Sequence, residues 1–200
     1  MFPGELKGWI VEAHRMRAFP GLVPGLVPGM APSEMADVIK SSLVAAWLGA
    51  ALFFSAVVAP AVFGVLRQFN LANANEIAGT IVSRGLTVIN ISGFVIGLLL
   101  LAATLIKRDP LGGSLLQLLS LAVLIISTAV GHWLVAARML ALRTVMAIPI
   151  DRVAASDPRR QTFDSLHHYS VVLLSAAMIA AIVAIISFGM LRNAEQAHHK

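Results

Sequence analysis

SSLVAAWLGAALFFSAVVAPAVFGVL, residues 41 to 66, runs 26 positions without a formal charge between Lys40 and Arg67. A helix needs about 20 largely apolar residues to cross a bilayer core about 30 Å thick. The pattern returns three times, as 22 uncharged residues between Arg84 and Lys107, 28 between Asp109 and Arg138, and 27 between Asp164 and Arg192. Each stretch is long enough to span. Backbone groups in hydrocarbon must be paired within their own segment, and no series of short alternating strands offers a barrel, so each crossing is a helix. The expected fold class is all-α, an integral membrane four-helix up-down bundle with spans at about 41–66, 86–106, 113–137 and 166–190.

Composition points the same way. The 200 residues are 58% hydrophobic and 12% charged, where soluble domains carry about 25% charged residues. The formal charge of +5 comes from basic residues spread thinly over the links, with no cluster interleaved with aromatics. The expected anionic neighbours are therefore the headgroups of a lipid bilayer, and no nucleic acid is expected. The chain has no cysteine, which removes disulfides, thiolate metal sites and thiol nucleophiles together. GxSxG, HExxH, Walker A and GxGxxG motifs are absent, and no span contains a carboxylate that could relay protons, so no enzymatic activity is expected.

Residues 1–37 differ from the rest. They contain Gly-Leu-Val-Pro-Gly-Leu-Val-Pro-Gly at 21 to 29 and five prolines, and are expected to form a flexible segment with neither lasting helix nor sheet. Met35 opens a short polar lead into the first span, so residues 1–34 read as an upstream extension and Met35 as an alternative start. Residues 38–191 form the four-span domain and 192–200 a polar tail. Residues 67–85 read as a short polar loop and 107–112 as a tight turn. In the long link from 138 to 164, Pro149 ends the third helix, and Asp157 caps the fourth ahead of Pro158 at its first position. Starting from Met35, the positive-inside rule leans towards both termini outside.

Small residues recur four apart at Ala45 and Gly49, Ser55 and Ala59, Gly93 and Gly97, Ser127 and Gly131, and Ala176, Ala180 and Ala184. Such stripes let helix backbones approach closely in lipid, and they offer faces for a homo-oligomer or a membrane partner.

A polar residue inside a span is costly, and so is the first place to look for function. Asn90 lies six residues inside Arg84 and His132 six inside Arg138, each roughly 9 Å deep at 1.5 Å per residue. Pro60 lies seven residues inside Arg67 and frees the carbonyl of Ala56. His167 and His168 open the fourth span on the same side, with Asp164 one turn before His168 and placed to orient its ring. Met139 extends the helical face of His132 as a soft thioether. Two readings follow from this polar layer of Pro60, Asn90, His132 and Asp164. In one, the polar groups make structural interhelical bonds and no cofactor is expected. In the other, His132 with His167 or His168 binds a soft metal, copper, or relays protons. Trp47 and Trp133 read as packing residues.

Trp47-Leu-Gly49, Phe53-Phe54, Val57-Val58-Ala59-Pro60 and Phe63, together with Phe163 and Leu166-His167, resemble the transmembrane-protein-205-like domain. This is a family of small four-span membrane proteins classed as a domain of unknown function. More distantly the pattern is similar to the CopD-like copper-resistance membrane domains. The resemblance covers about residues 38 to 191, matches at Pro60 and His167, and implies a multi-pass membrane location, expected to be a bacterial inner membrane. It implies no established activity. The expected function is a structural or interaction module; the alternative is a small-solute or copper-tolerance protein using the His/Asn layer.

Overall fold

A computed structural model describes residues 32–69, 71, 73–106, 114–146 and 148–198. The Gly/Pro repeat and the 107–112 turn lie outside these residues. Helix α1 (Pro32–Phe53), a π-helical turn (Phe54–Val58) and α2 (Ala59–Gln68) form one continuous first span. The second span is α3 (Ala74–Ile106). The third runs through α4 (Ser114–Ala129), a second π-helical turn (Val130–Ala136) and α5 (Ala137–Met146). A 3₁₀ turn (Ile150–Arg152) precedes α6 (Pro158–His198), the fourth span. All four helices are long and apolar enough to cross a membrane, at 32 to 34 residues each. The fold is an all-α bundle.

The helices outrun the uncharged stretches. The segment 67–85, read above as a loop, is helical to Gln68 and again from Ala74 onward. There Ala74, Ala78 and Gly79 are buried against neighbouring helices, and Glu76, Thr80, Ser83 and Arg84 occupy other positions of the same turns. The third helix ends at Met146, ahead of Pro149. Asp157 Oδ1 accepts the Arg159 backbone N–H at 2.8 Å, which caps the start of α6.

Glycines set the antiparallel register. As the first span rises from Trp47 to Phe54, its neighbours on α3 fall from Gly93 to Gly85. On the other side of α3, Gln117 Nε2 donates to Thr104 Oγ1 at 3.0 Å, Gly97 meets Ile125, Gly131 meets Asn90, and Gly79 meets Arg143. A Cβ at Gly93 would stand 2.7 Å from the Trp47 indole, and one at Gly97 2.7 Å from Ile125 Cγ1. Both helix pairs therefore need glycine at these positions. Trp47 Nε1 also donates to the Ile89 carbonyl at 2.9 Å, joining the first span to the second inside the core.

The core of Val44, Trp47, Ala51, Ile89, Leu100, Leu121, Leu124, Ala177, Ala181 and Phe188 draws on all four spans. The first span contributes least. Only 6% of its most apolar window is buried, against 28%, 39% and 33% for the others.

Candidate functional site

The two π-helical turns mark where the spans depart from regular helix. In the first span the turn over Phe54–Val58 immediately precedes Pro60. Proline cannot donate, and its ring presses on the carbonyl four residues back. The chain widens to absorb this, and the Ala59 N–H reaches back five residues to Phe54 O. Ser55 Oγ is buried in this turn without a hydrogen-bond partner.

The second π turn holds His132. Its Nδ1 is buried without a partner, while the ring stands edge-on to Trp133 at 4.9 Å. Trp133 is half exposed and in turn sits edge-on to Phe94 at 4.9 Å. Opposite this turn Asn90 is 4% exposed. Its amide lies over Gly131, where a Cβ would stand 3.5 Å from Nδ2 and 3.6 Å from Oδ1. Asn90 and the His132 turn therefore share one level. An unpaired buried donor or acceptor costs about 1–3 kcal/mol. Widened helical turns with such groups recur at functional sites.

The other residues of the expected layer stand elsewhere. Six residues beyond Phe54 the first span reaches Pro60, while six before Gly85 the second reaches Gly79, which lies against Arg143. Pro60 is thus level with Arg143 and exposed. It stands roughly 16 Å further out than Asn90, not in one layer with it. Arg143 stacks over the Phe163 ring at 5.2 Å, which brings His168 level with Arg138, roughly 9 Å outside His132. His167 and His168 are both exposed. Asp164 does not orient His168 but faces one turn back, with its Oδ2 3.8 Å from Arg160 Nε. Met139 packs on a small cluster of Met146, Val153 and Phe163. The π turn explains this change of face, since spacing counted at 3.6 residues per turn fails across a widened turn. Among the described residues no three His, Asp or Glu side chains converge as a metal site would need.

Polar groups also occupy the opposite half of the bundle, which the sequence left to apolar packing. Gln117, 3% exposed, bonds Thr104, and Ser120 Oγ donates to the Gln117 carbonyl at 2.9 Å. Near the same end Lys40 Nζ pairs with Asp37 at 2.7 Å. Asp37 and Ser41 line a cleft of about 220 Å³ with Ile185, Phe188 and Gly189. Sequence reasoning missed Ser55, Gln117 and Arg143. The only available signal for the first two was a hydrogen-bonding side chain deep in an uncharged run.

Outside the core, Arg160 Nη1 donates to the carbonyls of Ile150 and Val153, both at 2.9 Å, and folds the link back on α6. Side-chain hydrogen bonds from Arg159, then its backbone N–H, hold the Asp157 carboxyl down from 3.8 to about 2.

Residues 42–147 match the model of a domain of unknown function, DUF4149. No curated protein and no solved structure matches the chain.

Proposed function

The chain belongs to the DUF4149 family, and from that premise we propose that it is a membrane-embedded interaction module of the transmembrane-protein-205-like type, whose first span receives another transmembrane helix on its outward face. One observation carries this reading. Gly93, Gly97 and Gly131 are filled from within the chain by Trp47, Ile125 and Asn90, whereas a Cβ at Gly49 would meet nothing within 4 Å. Ala45, one turn before Gly49, is likewise exposed. A small-residue face left open on the least buried span suits a second helix at close approach. The occupant we assign is a second copy of this chain, and the reading includes no catalytic step.

The absence of cysteine makes the test direct. Ala45→Cys introduces a single thiol that forms a disulfide only if two backbones come within about 7 Å. Oxidation in native membranes is expected to give covalent dimers with Ala45→Cys, and to lose them when Gly49→Leu is added. Ile179→Cys, on the exposed face of α6, should stay monomeric. Equal cross-linking at positions 45 and 179 would end this reading.

A second reading has its own support in the unpartnered His132 Nδ1 beside Asn90. It makes the chain a small-solute or copper-tolerance protein that uses this turn. Cu(I) titration against a competing chelator should then lose affinity in His132→Ala, and equal affinity in the parent and the variant removes it.

A further inference from the structure

Arg143 differs from three other arginines at its end of the bundle, which have partners. Arg159 is paired with Asp157 at 2.7 Å, Arg160 with Asp164 and two carbonyls, and Arg67 Nε donates to Asn75 at 3.1 Å. Among the described residues Arg143 has neither a carboxylate nor a hydrogen-bond acceptor, and its Nε is sealed from solvent without a partner. Its position is nevertheless built. The Phe163 ring lies under the guanidinium at 5.2 Å. Gly79 leaves the room that the guanidinium itself fills, since a Cβ there would come within 2.7 Å of Nη2. Met146, Val153 and Phe163 form an apolar wall next to it. A planar cation held in place by a ring and a glycine, with no carboxylate beside it, is suited to an oxyanion.

Depth identifies which oxyanion. Arg143 lies five residues beyond Arg138, about 7.5 Å along the helix. Headgroups add roughly 5–8 Å on each side of the hydrocarbon core. Because Gly79 meets Arg143, five residues inward on each helix brings Arg84 level with Arg138. Both are exposed, and neither pairs with a carboxylate among the described residues. Five residues also turn each helix by about 140°, so Arg84 and Arg138 lie on faces away from the contact of Gly79 with Arg143 and add only to the positive charge of this end. We infer that Arg143 binds the phosphate of an anionic phospholipid headgroup where α3, α5 and α6 meet.

The test is lipid binding to the full chain in neutral detergent, followed by native mass spectrometry and by the thermal midpoint. The probes are phosphatidylglycerol, phosphatidylcholine and inorganic phosphate. The parent should bind phosphatidylglycerol in preference to phosphatidylcholine and be raised in midpoint by it, with inorganic phosphate giving no such rise. Arg143→Gln should weaken phosphatidylglycerol binding about tenfold. Gly79→Ala, which retains every charge, should weaken it too by displacing the guanidinium. Lys40→Gln removes a charge at the opposite end of the bundle and should leave binding unchanged, which separates a site from diffuse attraction. If Arg143→Gln does not fold, Gly79→Ala decides. Equal binding of the two lipids, undiminished preference in Gly79→Ala, or the same midpoint rise from inorganic phosphate would each overturn the assignment.

Discussion

In the first span Ala45 and Gly49 stand one turn apart with open space beside the glycine, while in the second Gly93 and Gly97, at the same spacing, are filled by Trp47 and Ile125. The spacing of small residues is the same, and what differs is the residue opposite. A large side chain from a neighbouring span consumes a small-residue stripe, and a stripe with nothing opposite stays available for another molecule. Since hydrocarbon provides little hydrophobic drive between helices, this geometric fit decides which helices belong together.

The comparison breaks most visibly under substitution. Gly93→Leu forces a side chain into the space of a buried indole, and overpacking of this kind costs about 3 kcal/mol or more. Gly49→Leu, facing open space, should change stability by less than about 0.5 kcal/mol. Chemical unfolding in mixed micelles measures both. A large loss for Gly49→Leu would place that face inside the fold and undo the contrast. Association measured beside stability sharpens it, because Gly49→Leu should lose cross-linking while keeping its fold.

The next effect is smaller. Trp47 couples the lightly packed first span to the core through its 2.9 Å bond to the Ile89 carbonyl. Trp47→Phe keeps a ring against Gly93 but removes the donor, and should cost about 1 kcal/mol. Cysteine accessibility at positions 44 and 51, both buried in the parent, should rise in that background, while positions on the third and fourth spans stay unchanged. Uniform loosening of all four spans would show that the first is no more peripheral than the rest.

His132 gives a smaller effect still. Because its Nδ1 has no partner, removing it relieves a buried polar atom, and His132→Leu should shift stability by no more than about 1 kcal/mol. A loss well above that, with no metal or solute added, would assign His132 a structural bond.

How much of this was legible beforehand follows from the same physics. The four crossings could be counted because a charge in hydrocarbon is expensive, so Lys40, Arg67, Arg84, Lys107, Asp109, Arg138, Asp164 and Arg192 mark the stretches without any structural knowledge. Their register could not be counted. Measuring each depth from the nearest charge assumed flush ends, and the pairing of Phe54 with Gly85 shows that Pro60 lies outside the level of Asn90. Asn90 and the His132 turn came together because spans two and three are flush. Asp164 had basic or imidazole neighbours one turn away on both sides, and spacing alone could not choose Arg160 over His168. The π turns left no mark beyond Pro60 in the first span and none in the third. Arg143 looked like any other interfacial arginine until Gly79 and Phe163 were seen around it.

The smallest effect separates the ends of the molecule by pH. Asp157 caps the fourth helix, and its carboxyl is held from 3.8 to about 2 by the Arg159 side chain and backbone N–H. A depressed folded value means that the ionised carboxylate stabilises the folded state, fully above about pH 4, with the contribution lost as pH falls towards 2. The thermal midpoint of the parent should therefore drop more steeply across that window than that of Asp157→Asn, whose side chain still offers an oxygen to the cap without titrating. The outward face of the first span contains no group that titrates in this range near Ala45 or Gly49. Dimer formation by the parent in mild detergent, read by native mass spectrometry, should accordingly hold to lower pH than the start of α6, followed by hydrogen exchange of residues 159 to 162. If both fell together with the same midpoint, the first span would depend on the fourth helix cap, and the two regions would be one cooperative unit.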